Sequence, residues 1–318
     1  MFDTLAGVTR RLSLLIALGS IVAAPAAYTQ NADNALAGRW DLTIKTAKAT
    51  YPSWIEVSGT ADSPQVRIVG RSGSVHPAED VKREGQKLTF SSPVGKNERL
   101  DWEVSASGNK LTGAQKRSNG VTAQIAGVRA PALDRKEPAA WSDPEPLFNG
   151  KDLSGWIPDN PAKNHWKVED GVLVNEAAGA NIRTKRQFND FKLHIEYNCP
   201  QDGNSGVYLR GRYEVQVEYE PAGTDDKYHS MGSIYGFIAP AVDVSPRPGQ
   251  WESYDVTLVG RTVTVMRDGQ LIIDHKEIPG ITGGALNSHE GEPGPIYLQG
   301  DHTGGMKYRN ITISLPKR

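Results

Sequence analysis

Three short rows of polar residues carry most of the chemistry in this chain. Phe191, Leu193, Ile195 and Tyr197 alternate with Lys192, His194, Glu196 and Asn198. Tyr213, Val215, Val217 and Tyr219 alternate with Glu214, Gln216 and Glu218. Between them, Asn204-Ser205-Gly206 leads into Val207-Tyr208-Leu209-Arg210. Strand periodicity then places Tyr208 and Arg210 on the side opposite Val207 and Leu209. An ordinary solvated sheet face carries Thr, Lys and Ser. A face built from a phenol, amides, carboxylates and a guanidinium instead suits a polyhydroxylated ligand. Hydroxyl groups need donors and acceptors in pairs, and the C–H faces of a sugar ring pack on aromatic rings. The same residues also read as a charged outer face with satisfied cross-strand pairs, Arg210 with Glu214 being one.

These rows require strands to hold them, and the composition agrees. The 318 residues include Gly 33 and Pro 20, with 38% hydrophobic residues. Such turn-rich composition favours short strands joined by loops over a helical bundle, and the length suits about two domains. Residues 36–130 read as one all-β unit. Period-2 patterns appear in Trp40-Leu42-Ile44, Ile55-Val57, Val66-Ile68, Leu88-Phe90, Leu100-Trp102-Val104 and Val121-Ala123-Ile125. Gly38-Arg39-Trp40 is similar to the opening of lipocalin-like barrels. Residues 131–145 carry Pro131, Pro138 and Pro144 among charges and alanines, and read as a semi-rigid linker to a domain at 146–318. There, Tyr254-Val256-Leu258, Val263-Val265 and Ile311-Ile313-Leu315 add strands, and Asp268-Gly269 marks a tight hairpin turn. The expected fold class is all-β: a jelly-roll sandwich preceded by a smaller antiparallel β-barrel or sandwich.

Arg10 and Arg11 precede an apolar run from Leu12 to Ala24, followed by Ala24-Pro25-Ala26. A basic start, a short apolar run and a small-residue exit describe a secretory signal peptide over residues 1–26; a membrane span needs about 20 apolar residues. The remaining chain is expected to be exported, periplasmic or secreted, and free of the membrane once the leader is cleaved. Lys+Arg 36 against Asp+Glu 37 removes the electrostatic footprint of a nucleic-acid binder. The single Cys199 excludes an intramolecular disulfide and Cys-based zinc sites. The seven His residues show no H-x-H or H-E-x-x-H spacing. No cofactor is required by any motif. A divalent cation held by Glu196, Glu214 or His302 stays open, because ligands from separate strands leave no linear signature.

A longer series of motifs is more specific. It runs from Leu147-Phe148-Asn149-Gly150-Lys151-Asp152-Leu153-Ser154-Gly155-Trp156 through Trp166-Lys167-Val168-Glu169-Asp170-Gly171 and Asn204-Ser205-Gly206-Val207-Tyr208-Leu209-Arg210. It continues through Tyr213-Glu214-Val215-Gln216, Ile234-Tyr235-Gly236, Trp251 with Tyr254-Asp255, and Gly294-Pro295-Ile296-Tyr297-Leu298-Gln299, to Tyr308-Arg309-Asn310-Ile311. In content and order, residues of about 146–316 resemble the 3-keto-disaccharide hydrolase family. The resemblance implies a concanavalin A-like jelly roll with a concave sugar site and a 3-keto-glycoside as the carbohydrate partner.

A ketone at C3 acidifies the neighbouring C2–H. Removal of that proton lets the enolate expel the glycosidic oxygen at C1, and water adds to the unsaturated ketone afterwards. Such a route needs a base near C2, a cationic partner for the enolate oxygen and a proton donor to the leaving group. The resemblance implies His302 as first candidate for base or acid, Glu196 as second, and Arg210 as the partner of the enolate. Tyr208, Glu214, Gln216, Tyr235 and Gln299 are expected to bind the sugar. The competing expectation is a lectin-like module without catalysis, in which Tyr208, Tyr235 and Trp251 are stacking platforms.

Overall fold

The structure is a computed structural model that describes residues 35–94, 98–219, 226–242 and 244–317. The expected leader at 1–26 lies outside the described residues. Among these residues the one helical piece is a 3-10 turn at Pro161–Lys163, and no helix is long and apolar enough to cross a membrane.

Alternation builds the first unit. Its strands are β1 (Gly38–Lys45), β2 (Thr50–Gly59), β3 (Pro64–Val69), β4 (His76–Pro77), β5 (Glu79–Glu84), β6 (Lys87–Val94), β7 (Glu98–Ser107), β8 (Lys110–Arg117) and β9 (Thr122–Arg129). In β7, Leu100, Trp102, Val104 and Ala106 are buried while Asp101, Glu103 and Ser105 are exposed. The antiparallel order is β4-β3-β2-β1-β9-β8-β7-β6-β5. The two ends of that order are halves of one bent segment, interrupted only at Ala78, whose N–H donates to the Val66 carbonyl. The sheet therefore closes on itself as a barrel. Trp40 is buried in it, donates from Nε1 to the Leu36 carbonyl at 2.8 Å, and lies 4.0 Å beneath the Arg129 guanidinium.

The second unit is a sandwich of two antiparallel sheets. Its strands are β10 (Glu145–Pro146), β11 (Trp156–Pro158), β12 (Trp166–Glu169), β13 (Val172–Asn175), β14 (Ile182–Thr184), β15 (Phe191–Asn198), β16 (Asn204–Leu209), β17 (Tyr213–Glu218), β18 (Trp251–Val259), β19 (Thr262–Arg267), β20 (Gln270–Glu277), β21 (Tyr297–Leu298) and β22 (Met306–Ser314). The larger sheet runs β12-β13-β22-β15-β18-β19-β20, with β10 also on β22; the smaller runs β11-β14-β21-β16-β17. Phe191, Leu193, Ile195 and Tyr197 from the first meet Val207, Leu209, Val215 and Leu298 from the second in one buried core. The β19–β20 hairpin turns at Asp268 and Gly269, both with positive φ, as the Asp-Gly pair requires.

The two units are packed together. Trp54 and Val69, on the outer face of the barrel, belong to the core of the sandwich, and Trp54 meets Phe237 edge-on at 5.5 Å. Asp41, cross-strand from Trp54, is buried beside Glu290; burial first, and then the Glu290 charge, push its carboxyl well above the usual range. Residues 131–145 lie along the sandwich. Trp141 bridges to Pro316 under the Lys192 ammonium, and Arg135 pairs with Asp190 at 2.9 Å.

Candidate active site

Strand register assembles a polar row on the face of the smaller sheet that points away from the core. Arg183 pairs with Tyr297, Tyr297 with Tyr208, and Tyr208 with Glu214. Directly paired residues on antiparallel strands share a face, so all four side chains lie side by side. The neighbouring row places Gly206 opposite Gln216, with the Gln299 N–H donating to the Gly206 carbonyl at 3.0 Å. Gly206 is needed there: a Cβ would collide with Oε1 of Glu214, which lies over it. Tyr208, Glu214, Gln216, Tyr297 and Gln299 are all buried. Oε1 of Gln216 and Oε1 of Gln299 have no hydrogen-bond partner among the described residues. Buried polar atoms left in that state mark a surface prepared for a polar ligand.

A loop from the end of β21 completes the rim. Gly300 donates to Oδ1 of Asn181 at 2.7 Å, and Asn175 Nδ2 donates to the carbonyls of Gly300 and Thr303 at 3.2 and 3.3 Å. Thr303 is tied to Asn204 through a 2.8 Å bond from the Asn204 N–H. Asp301 and His302 sit at the tip, with His302 Nδ1 3.0 Å from Asp301 Oδ1. Both side chains are about half exposed. The His302 contact, more than any other, holds the Asp301 carboxyl below its ordinary range. Asp159 stands beside them, since the Asn181 N–H donates to its Oδ1 at 3.0 Å.

In this row Glu214 is the carboxyl shielded from water. Burial pushes its pKa up to about 8, with the charges of Glu218 and Asp301 acting in the same direction. At neutral pH it is therefore mostly the neutral acid, able to give up a proton.

Of the expected site residues, Tyr208, Glu214, Gln216, Gln299 and His302 are gathered here. Tyr235 lies against β17, its N–H on the Glu214 carbonyl at 3.1 Å and its ring 4.8 Å from the His229 ring. Two do not join them. Glu196 is on the outer face of the larger sheet, accepting from Arg309 Nε and Asn310 Nδ2, both at 2.6 Å. Its row was read from alternation on one strand, which cannot tell which sheet the strand enters. Arg210 falls just past the end of β16 with φ +52°, which breaks the alternation with Tyr208. Its side chain is fully buried at one end of the sandwich, and Nη2 donates to the Tyr213 hydroxyl and the Gly260 carbonyl, both at 2.9 Å. The Arg210–Glu214 pair accordingly does not form. Asp159, Asn181, Arg183, Tyr297 and Asp301 were not anticipated. For Tyr297 a signal existed, because it is two residues from Gln299 and must share its face.

Among the described residues, no group of three His, Cys, Asp or Glu side chains is arranged to hold a metal ion. Two surface depressions lie elsewhere, one beside Leu147, Ser154 and Arg186, the other beside Thr43, Lys45 and Gln124; each has a single charged side chain in its lining.

Comparison with known proteins points to the sandwich. Residues 143–314 match the sequence profile of a family described as 3-keto-alpha-glucoside-1,2-lyase-like domains. A 3-keto-disaccharide hydrolase of Bacteroides thetaiotaomicron is 21% identical over 166 residues, a match covering 41% of this chain and 57% of that relative's length. A solved structure from Parabacteroides distasonis, described as a candidate glycosyl hydrolase, is 31% identical, with 56% of this chain and 92% of that one covered and a TM-score of 0.47. A second from the same organism is 20% identical, covering 55% and 93%, with a TM-score of 0.45.

Proposed function

Because the chain belongs to the family of 3-keto-α-glucoside-1,2-lyase-like domains through residues 143–314, we propose that it cleaves 3-keto-glycosides on the outward face of its smaller sheet. The observation that carries this reading is Glu214: a buried carboxyl, neutral at physiological pH, in a row with Tyr208, Tyr297 and Arg183 and within reach of the Asp301 charge.

His302, oriented by Asp301, takes the C2 proton acidified by the C3 ketone. The electron pair left at C2 forms the C1–C2 double bond as the C1–O bond breaks. Glu214 gives its proton to the departing oxygen. Water then adds across the unsaturated ketone, its oxygen to C1 and a proton to C2, so that the overall result is hydrolysis. Arg183 replaces Arg210 as the cation facing the enolate oxygen, and the amides of Gln216 and Gln299 bind hydroxyls. An exported location, read from residues 1–26, fits a protein that meets glycosides outside the cytoplasm.

The test is incubation of the protein lacking residues 1–26 with 3-keto-trehalose, 3-keto-sucrose and a 3-keto-aryl glucoside, following release of the sugar or aglycone. Turnover of at least one, lost in Glu214→Gln, is expected. No turnover of any of them, with or without divalent metal, overturns the reading; retained binding without turnover would favour the lectin-like alternative.

A further inference from the structure

We infer that the barrel takes part in this chemistry: its β3–β4 loop, residues 70–75, holds the Gly283 carbonyl against Tyr208 and so sets which way the Tyr208 hydroxyl faces Glu214. The inference rests on the reading of Glu214 as the proton donor.

Tyr208 has one hydroxyl proton and two acceptors beside it. It donates to the Gly283 carbonyl at 2.9 Å, and Glu214, its cross-strand partner on β17, is the carboxyl beside it. While that proton is held by Gly283, the Tyr208 oxygen can only accept from Glu214. A protonated carboxyl can donate such a bond and a carboxylate cannot, so the arrangement favours the neutral acid. With the carbonyl withdrawn, the hydroxyl turns to donate to Glu214 and favours the carboxylate.

The sandwich alone does not set the position of that carbonyl. From its side, Thr282 Oγ1 accepts the Glu214 N–H at 3.0 Å and donates to the Arg212 carbonyl at 3.2 Å. From the barrel side, the Gly284 N–H donates to the Arg71 carbonyl at 3.2 Å. Gly283 lies so close to Gly73 that a Cβ would collide with the Gly73 carbonyl oxygen. Gly236, next to Tyr235, is packed in the same way against Ser74. Residues 282–284 are thus clamped between β17 and the barrel loop, and Trp54 and Val69 behind that loop anchor the barrel in the sandwich core. The other groups facing Glu214 are Glu218 on its own strand, Asp301 with its partner His302, Tyr297 on β21, and Tyr308 from the opposite sheet. Thr282 also holds the Glu214 N–H, so a change at Gly283 is read together with Tyr208→Phe, which separates the hydroxyl from a shift of β17.

The test follows the Glu214 carboxyl carbon by NMR against pH in glutamate-labelled protein, with the resonance assigned by its loss in Glu214→Gln. Turnover is not read, so the result stands whether or not a keto-glycoside is cleaved. Gly283→Ala, whose methyl meets the Gly73 carbonyl, should weaken proton binding at Glu214 about tenfold, one unit. Gly291→Ala, whose Cβ would meet only Pro131 at 3.7 Å, should leave it unchanged. Two glycines inserted between Ser72 and Gly73, in an exposed stretch, should act like Gly283→Ala from the barrel side and provide the measurement if that variant does not fold. Tyr208→Phe reads the sign: proton affinity falls if Tyr208 accepts from Glu214 and rises if it donates. An unchanged titration in the folded loop variants, or a rise in Tyr208→Phe, overturns the inference.

Discussion

The outer face of the larger sheet and the outward face of the smaller one use nearly the same side chains. Each has a glutamate, a histidine beside an aspartate, an arginine and an aromatic ring. On the larger sheet these groups satisfy one another in contact with water. Glu196 accepts from Arg309 and Asn310, His194 Nδ1 lies 2.7 Å from Asp255, and the Arg309 guanidinium covers the Trp251 ring at 4.0 Å. On the smaller sheet, among the described residues, Glu214 is buried without a cationic neighbour and two amide oxygens beside it are unsatisfied. The consequence is opposite: the hydrogen bonds from Asn310 and Arg309, with the Arg309 charge, outweigh a burial effect and pull Glu196 below the ordinary carboxyl range, whereas burial lifts Glu214. Composition made the two faces look alike; solvent access separates them.

The sharpest way to break this comparison is to exchange each carboxyl for its amide. Glu214→Gln should lower kcat on a 3-keto-glycoside by about two to four decades, as expected for loss of a positioned proton donor, while Glu196→Gln should change it less than about twofold. Equal losses would end the distinction between the faces. Next in size, His302→Ala should cost about two decades in kcat, and His194→Ala should cost almost nothing; a rate lost only in His194→Ala would move the site to the other sheet.

The pH dependence follows from Glu214. As the donor ionises, kcat/KM should fall with rising pH above about 8, and Glu214→Gln should lose that limb along with most of its rate. Stability carries the same sign. The native state retains a proton that the unfolded chain has released, so the contribution of Glu214 to stability should be greatest below the ordinary glutamate pKa of about 4.3. That contribution should be lost as pH rises through about 8, and the corresponding slope should be absent in Glu214→Gln, measured by urea unfolding. Glu196 has the opposite sign. Its stabilisation is present above its unfolded pKa and is lost in acid, so the deficit of Glu196→Gln should vanish there. With its side chain 22% exposed and partly screened, that deficit should be under about 1 kcal/mol at neutral pH.

Much of the architecture is legible in the sequence. The inward Leu100, Trp102, Val104 and Ala106, the Asp268-Gly269 turn and the alternation of β15 and β17 all follow from period two and turn chemistry. Half of the site was legible for the same reason, because Tyr208, Glu214 and Gln216 alternate with core residues. Arg210 defeated the rule because one positive φ at a strand end reverses the direction of a side chain. Asp159 and Asn181 could not be found at all. They meet the Gly300-Asp301-His302 loop only through contacts between distant segments, such as the bond from Gly300 to Asn181.

What the sequence by itself determined is local: which residues are strands, which face of each strand is apolar, where the chain turns, and the ordered motifs that identify the family. Those properties depend on backbone sterics and on side chains a few residues apart. The tertiary structure alone decided which polar rows are neighbours, which carboxyl is shielded from water, and that a loop of the barrel rests on the sandwich at Gly283. Electrostatic energy depends on distance and solvent access, and neither is a property of the order of residues along the chain.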